Sequence, residues 1–544
     1  MKQIKYLLVF GVLIFTMPLR AIEYYVNSNI GKDTNDGLSE ESPFKSLKQV
    51  NELGLSAGDK VLLANGFEYK GYIEIENKSG KSKRPIIIGN YGAKADALPL
   101  INAQGYRNGI LLTNCNNITI QNIAITANGG GVFGTKKPKN DMRCGVLVRT
   151  TKTGDYKGIV LSNLDIKDVF YAEQGLTRSF KETHSPNGTQ AYGWGIRFIN
   201  RIKGATMQDL KVHSCSISNV AHTGLKFTGV KQSMSNVEVL NNSISHTGGP
   251  GMQMSGVVNA YVSKNKVNFS GSTSDSRKWG RGSGFWTWSC SKMIIEHNSF
   301  RNANGPGDSA GCHIDYNCND IIVQYNLSEN NAGGFCEILG NNYNCAYRYN
   351  ISINDGHRVK KKGVAFQEGK IFWLSGYNGE GKPHKGPYNS YFYNNTIYVR
   401  KDIEAKLAIT RSAEGVLIAN NIFYIEGESK LVLGDQYKPE EAGESLIDNV
   451  MFKNNLFLNE SNWPNNAPIQ DECPTFGDPE FNNVSGKNAI DFKPQQIELI
   501  KDKGIQINPL PGDKKGLFKG TRLKHDILGN TIKGLPDMGA IELK

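Results

Sequence analysis

The segments "NITIQNIAI", "NVEVLNNSI", "AYVSKNKVN", "MIIEHNSF", "IIVQYNLS", "AYRYNIS", "YFYNNTI", "VLIANNIF" and "VMFKNNLF" repeat one plan: a short alternating strand, a polar turn position, and another short strand. The turn position is held by Asn242, Asn265, Asn298, Asn326, Asn350, Asn395, Asn421 and Asn455, at intervals of 23, 33, 28, 24, 45, 26 and 34 residues. The shorter intervals fit one coil of a solenoid with three short strands, and the longer ones fit that coil plus an inserted loop. Strands that pair with their equivalents one coil later form parallel sheets, whose crossovers are right-handed. The chain is therefore expected to be all-β, a single-stranded right-handed parallel β-helix. Asparagine suits the turn because it tolerates left-handed backbone and bonds to its chain neighbours, and stacked coils allow a side-chain ladder.

The ends and insertions extend this reading. "PFKSLKQVNEL", residues 43–53, has amphipathic spacing and predicts a short helix capping the open first coil. Three insertions, at 127–144, 168–193 and 356–388, with a shorter loop at 270–283, are expected to wall a groove along one edge. Lys2 and Lys5 precede the apolar run "YLLVFGVLIF", and Ala21 offers a cleavage point, so residues 1–21 read as a signal peptide and 22–544 as the β-helix domain. The run is too short for a membrane span, and no later apolar run of about 18 residues follows. A secreted or periplasmic, monomeric protein is expected.

Removing Lys2, Lys5 and Arg20 takes the formal charge from +12 to +9, a balance suited to an anionic partner. Nucleic acid is excluded as that partner, because Arg-rich helices and Lys blocks are missing from the sequence. The nine cysteines form no CxxC pair and no metal-ligand spacing. Most, including Cys115, Cys215, Cys290, Cys312 and Cys336, are expected to be small buried core residues, and the sequence identifies no disulfide partners. No metal or cofactor is indicated by a motif, and calcium stays open as a ligand although no Asp-rich calcium cluster of the pectate-lyase type occurs.

Strands led by glycine align into a column: "GIRFIN", "GLKFTG", "GMQMSG", "GFWTWS", "GCHIDY" and "GFCEILG". Alternation turns Ile196, Phe227, Met254 and Ile314 inward, with Ile321, Val323 and Ile338 also in the core. The outward second position then reads Arg197, Lys226, Gln253, Trp286 and His313. Glu337 takes the next place if one extra residue, a bulge, is allowed in its strand. The outward fourth position reads Ile199, Thr228, Ser255, Trp288, Asp315 and Leu339.

Indole faces beside carboxylates suit sugar recognition: ring hydrogens of a sugar pack on tryptophan, while acids bond hydroxyls or move protons. Trp286 and Trp288 are expected to line a long open groove, with Asp315 and Glu337 as acid and base and His313 bonding one of them. Asp308 lies in the preceding turn at the edge of the same face, as a turn residue or a catalytic one. Gln253, Lys226 and Arg197 extend the binding face, and the two cations suit a carboxylate or sulfate on a glycan. His222 and His246 are expected in the turns that enter the groove wall.

"YYVNSNIGKDTNDGLSEESPFKSL", "GDKVLLANGFEYKG" and the closing "PDMGAIEL" resemble the first segments and last strand of secreted β-helix proteins of the pectate-lyase-like superfamily. "GSGFWTW", "GPGDSAGCHIDYN" and "NAGGFCEILG" resemble active-face segments of β-helix glycoside hydrolases, including the family of α-L-fucosidases and xylanases. The resemblance implies a glycoside hydrolase acting on a polysaccharide or oligosaccharide. A polysaccharide lyase using Arg197, Lys226 and His313, and a non-catalytic glycan-binding solenoid, are the alternatives. The carboxylates and aromatics at the groove centre favour hydrolysis over β-elimination.

Overall fold

The structure, a computed structural model, describes residues 21–93, 95–127, 143–169, 193–271, 281–363, 365–379, 381–432, 449–464 and 470–543. The expected signal peptide and most of the first two insertions lie outside the described residues. Among the described residues the strands form two parallel sheets, one of 26 strands and one of 12. The second is built from one strand per coil and runs from Ile73–Glu76 through Trp194–Asn200, Leu225–Gly229, Met252–Ser255, Phe285–Trp288, Cys312–Ile314, Gly334–Ile338 and Lys370–Leu374 to Ser429–Leu431. Each strand pairs with its equivalent on the next coil, which is the parallel β-helix expected from the spacing.

Ile196, Phe227, Met254, Ile314, Ile321, Val323 and Ile338 all lie in one apolar core cluster that extends from Val26 to Phe457. Phe44, Leu47, Val50 and Leu55 join its first coil through a helix at Leu47–Glu52, shorter than the 43–53 segment expected. All nine cysteines are free thiols, and all but Cys473 are buried.

The asparagine ladder forms with the expected members, but by a different division of labour. From Asn242 to Asn455 each asparagine donates from both its backbone N–H and its side-chain amide to the Oδ1 of the next, at 2.9–3.1 Å. Asn455 passes the ladder on to Asp471. The left-handed backbone belongs to the residue before each rung: Asn241, Lys264, His297, Tyr325, Tyr349, Asn394, Asn420 and Asn454 have φ between 51° and 58°. The rungs themselves are buried and serve as hydrogen-bond connectors between coils.

Asn326 illustrates the energetic weight of a rung. Its side-chain amide also donates to the carbonyls of Ile295 and Gln324, and its Oδ1 accepts from Asn298. Asn326→Ala leaves several buried polar groups without partners, each worth roughly 1–3 kcal/mol. We expect a loss of about 3 kcal/mol or more, measured by urea unfolding, where a half-buried Asn330→Gly control, at a left-handed position with one side-chain bond to Asn302, loses less than about 1 kcal/mol.

Two expectations about the C-terminal half are corrected. The segment 356–388 is not wholly an insertion, because Lys370–Leu374 is a coil strand paired with Gly334–Ile338. "PDMGAIEL" forms no strand; Met538, Ala540 and Ile541 instead pack against Ile351, Tyr398 and Ile422 on the outside of the coils. Ile507, Leu510 and Leu517 cover Tyr391 and Tyr393 in the same way. Apolar and aromatic outer faces on these coils require such a cover. No described helix is long and apolar enough to cross a membrane.

Candidate active site

The register of the smaller sheet places the expected column residue against residue. Arg197 pairs with Lys226, Lys226 with Gln253, Gln253 with Trp286, Trp286 with His313, and His313 with Glu337. No bulge is needed, since both Ala310 with Gly334 and His313 with Glu337 keep one offset of 24 residues. Phe335, rather than a glycine, occupies the place opposite Gly311.

The column continues one coil further than expected, because Glu337 pairs with Trp373. A signal for Trp373 was present: "GKIFWLSG" from Gly369 matches "GGFCEILG" from Gly333 position for position. The imidazole and carboxyl groups thus sit between two indoles, Trp286 and Trp373.

The face is not open as expected. Arg197, Lys226, Gln253, Trp286, His313 and Glu337 point away from the core, yet each is buried. Trp286 meets His313 edge-on at 5.8 Å between ring centroids. The exposed indole is that of Trp288, 40% exposed, beside the Tyr316 ring at 5.1 Å. Trp288 with the half-buried Tyr316 is therefore the accessible aromatic pair on this face, and Trp286 is buried. Trp288→Ala is expected to raise KM about tenfold with little change in Tm. Trp286→Ala should instead cost about 3 kcal/mol of stability, read from thermal or urea unfolding.

His222 and His246 separate. His222 is fully buried, bonds Thr223 through Nδ1 at 2.8 Å and packs on the Trp194 ring, close to Arg197. His246 is exposed on a strand of the larger sheet, stacked on Phe269, and does not enter the groove wall. Its left-handed turn position, φ 52°, belongs to a different edge of the coil.

Around His313 three carboxyl groups converge. His313 Nδ1 lies 3.3 Å from Glu337 Oε2 and 3.5 Å from Ser283 Oγ, while its Nε2 has no hydrogen-bond partner among the described residues. Burial opposes the imidazolium, but Glu337, Asp315 and Asp308 more than offset it, so the pKa lies above the ordinary histidine value. Asp315 follows the strand, half-buried beside the pair of Trp288 and Tyr316. Burial pushes its pKa up to about 6, with His313 pulling it down and Asp308 pushing it up.

Asp308 has the opposite environment. Burial would raise its pKa, but Arg281 Nη1, 2.7 Å from Oδ1, together with His313 and Arg358, brings it below the usual aspartate value. The turn that carries it is firmly held. Arg358 donates to the carbonyls of Gly305 and Asp308 at 3.0 and 2.9 Å, and the Asp308 N–H donates to Gln367. Gly307 approaches Phe366 so closely that a Cβ would lie 2.1 Å from the ring. That contact explains the second glycine of "GPGD". Arg281, Arg358 and Gln367 were not singled out from sequence, since nothing in a loop's composition says which strand turn it closes over.

Among the described residues no group of three or more His, Cys, Asp or Glu side chains is arranged to hold a metal ion. The groups on view are two aspartates whose pKa values are displaced in opposite directions from the ordinary aspartate value, around one imidazole.

No family model matches the chain. It is 25% identical to a lacto-N-biosidase of Bifidobacterium longum subsp. longum over 95% of this chain but 36% of that enzyme, so it spans little more than a third of the curated relative. Among solved structures, GH136 lacto-N-biosidase from Eubacterium ramulus superposes with a TM-score of 0.54 over 76% of this chain and 68% of that one, at 23% identity for the selenomethionine derivative and 22% for the native protein. The parallel β-helix is common to both.

Proposed function

We propose that this protein is a glycoside hydrolase, with Asp315 as general acid and Asp308 as the ionised carboxylate that acts at the sugar ring. The observation that carries this reading is the opposite displacement of two neighbouring carboxyl groups: Asp315 upward to about 6 by burial, Asp308 downward by Arg281. An acid whose pKa is raised to about 6 keeps its proton at mildly acidic pH and can protonate a leaving oxygen there, while one that stays ionised can attack the anomeric carbon or activate water. Glu337, expected from sequence to be the second member of the pair, has His313 against its carboxylate and serves to position that ring. His313 Nε2 is then available to a substrate hydroxyl.

The relative's name supports the substrate class: a glycan ending in lacto-N-biose is the first candidate, bound with a sugar against Trp288. The test is incubation with lacto-N-bioside oligosaccharides and a wider glycan panel in ¹⁸O-water, with product masses measured. A hydrolase places one ¹⁸O in the new reducing end. Products lacking ¹⁸O and absorbing in the ultraviolet through a new carbon–carbon double bond would mean β-elimination and overturn the proposal.

A further inference from the structure

Three coils before His313 the same face changes character. Lys226 is buried directly against Arg197 on the preceding coil, and neither hydrogen bond nor ion pair joins the Lys226 ammonium to any described residue. Equivalent positions on neighbouring coils are about 4.8 Å apart, so two cations are stacked at close range in a site shielded from water. Burial, and then Arg197 and Arg201, push the Lys226 pKa well below the ordinary lysine value, and no carboxylate is among the groups acting on it.

Beside them the Trp194 indole is fully buried, with the Arg197 guanidinium 4.1 Å above its ring. Its Nε1–H has no hydrogen-bond partner among the described residues. A buried ammonium without a counter-charge and a buried N–H without an acceptor are both costly in a folded chain. One bound anion satisfies both.

We propose that Lys226, Arg197 and the Trp194 indole N–H form a subsite for an anionic substituent, a carboxylate or a sulfate, on the bound glycan, about 14 Å along the face from His313. The proposal rests on the reading of this face as a glycan site. It deepens that reading by naming a charged substituent as part of the substrate. Planar guanidinium and ammonium donors bind both oxyanions, so the chemistry shared by uronic acids and sulfated sugars is what the subsite selects.

The test is calorimetric titration of the full chain with one oligosaccharide in uncharged, uronate-bearing and sulfated forms. At least one charged form is expected to bind tenfold or more tightly than the uncharged one, and the arm that gains identifies the substituent. Lys226→Met should abolish that ratio, and without ligand it should melt above the parent, because it removes a buried unpaired cation. Lys226→Gln provides the same comparison should the methionine variant fold poorly. Equal affinity for all three forms, or a charged-form preference that survives loss of Lys226, overturns the subsite. Binding needs no turnover, so charge preference without any ¹⁸O incorporation would sink the hydrolase reading and keep this one, and hydrolysis without charge preference would do the reverse.

Discussion

Replacing Asp308 with asparagine is expected to lower kcat on a cleaved oligosaccharide by at least about 1,000-fold, the largest effect of any single change considered. The substitution keeps the shape of the side chain but removes the charge that Arg281 holds in place. Because the turn is also fixed by Arg358 and Gln367 through backbone groups, the fold should survive, with a Tm within several degrees of the parent. Breaking the Arg281 contact from the other side gives a milder result. In Arg281→Met the Asp308 carboxyl loses its largest stabilising charge and its pKa moves up, so the acidic limb of the pH–rate profile should shift to higher pH.

Asp315→Asn is expected to lower kcat on oligosaccharides by roughly 100- to 10,000-fold, the range associated with a positioned general acid. It carries a second signature in stability. The folded Asp315 pKa, about 6, lies above its ordinary value of 3.8, so between those limits the folded state binds more protons than the unfolded one. The parent therefore loses stability as pH rises from about 4 through 6, and by pH 7 the ionised, half-buried carboxylate is destabilising. Asp315→Asn should melt above the parent at pH 7.5, and the difference should vanish near pH 4. The same pKa sets the parent's alkaline limb: turnover should fall as pH rises through about 6, when the acid loses its proton.

Much of this architecture is legible in the chain because the solenoid translates sequence period directly into spatial neighbours. Asn242 to Asn455 predict the ladder, and the Gly-led strands predict that Trp286, His313 and Glu337 stack on successive coils. Both follow from strand alternation, which is local. What failed was whatever depended on loops closing over the coils. Burial of the column from Arg197 to Glu337, the clamp of Arg358 and Gln367 on the Asp308 turn, and the pairing of Arg281 with Asp308 all join segments far apart in sequence. For that reason the sequence favoured Glu337, the register neighbour of His313, as the second catalytic carboxyl. Asp308 is preferred in the proposed pair because Arg281 lowers its pKa where burial raises that of Asp315. Trp373 was overlooked for a different reason: its strand lies inside a stretch read as an insertion, although its pattern repeats that of the coil before.

The division of roles between the two aspartates can be read from one pair of substrates, a cleaved oligosaccharide and an aryl glycoside of the same sugar whose leaving group departs without protonation. The measurement is kcat/KM for the parent, Asp315→Asn and Asp308→Asn on each. If Asp315 is the acid, its variant recovers most of its activity on the aryl substrate, while Asp308→Asn remains at least about 1,000-fold impaired on both. Recovery by Asp308→Asn instead, or near-parental turnover by both variants on the oligosaccharide, would contradict the assignment.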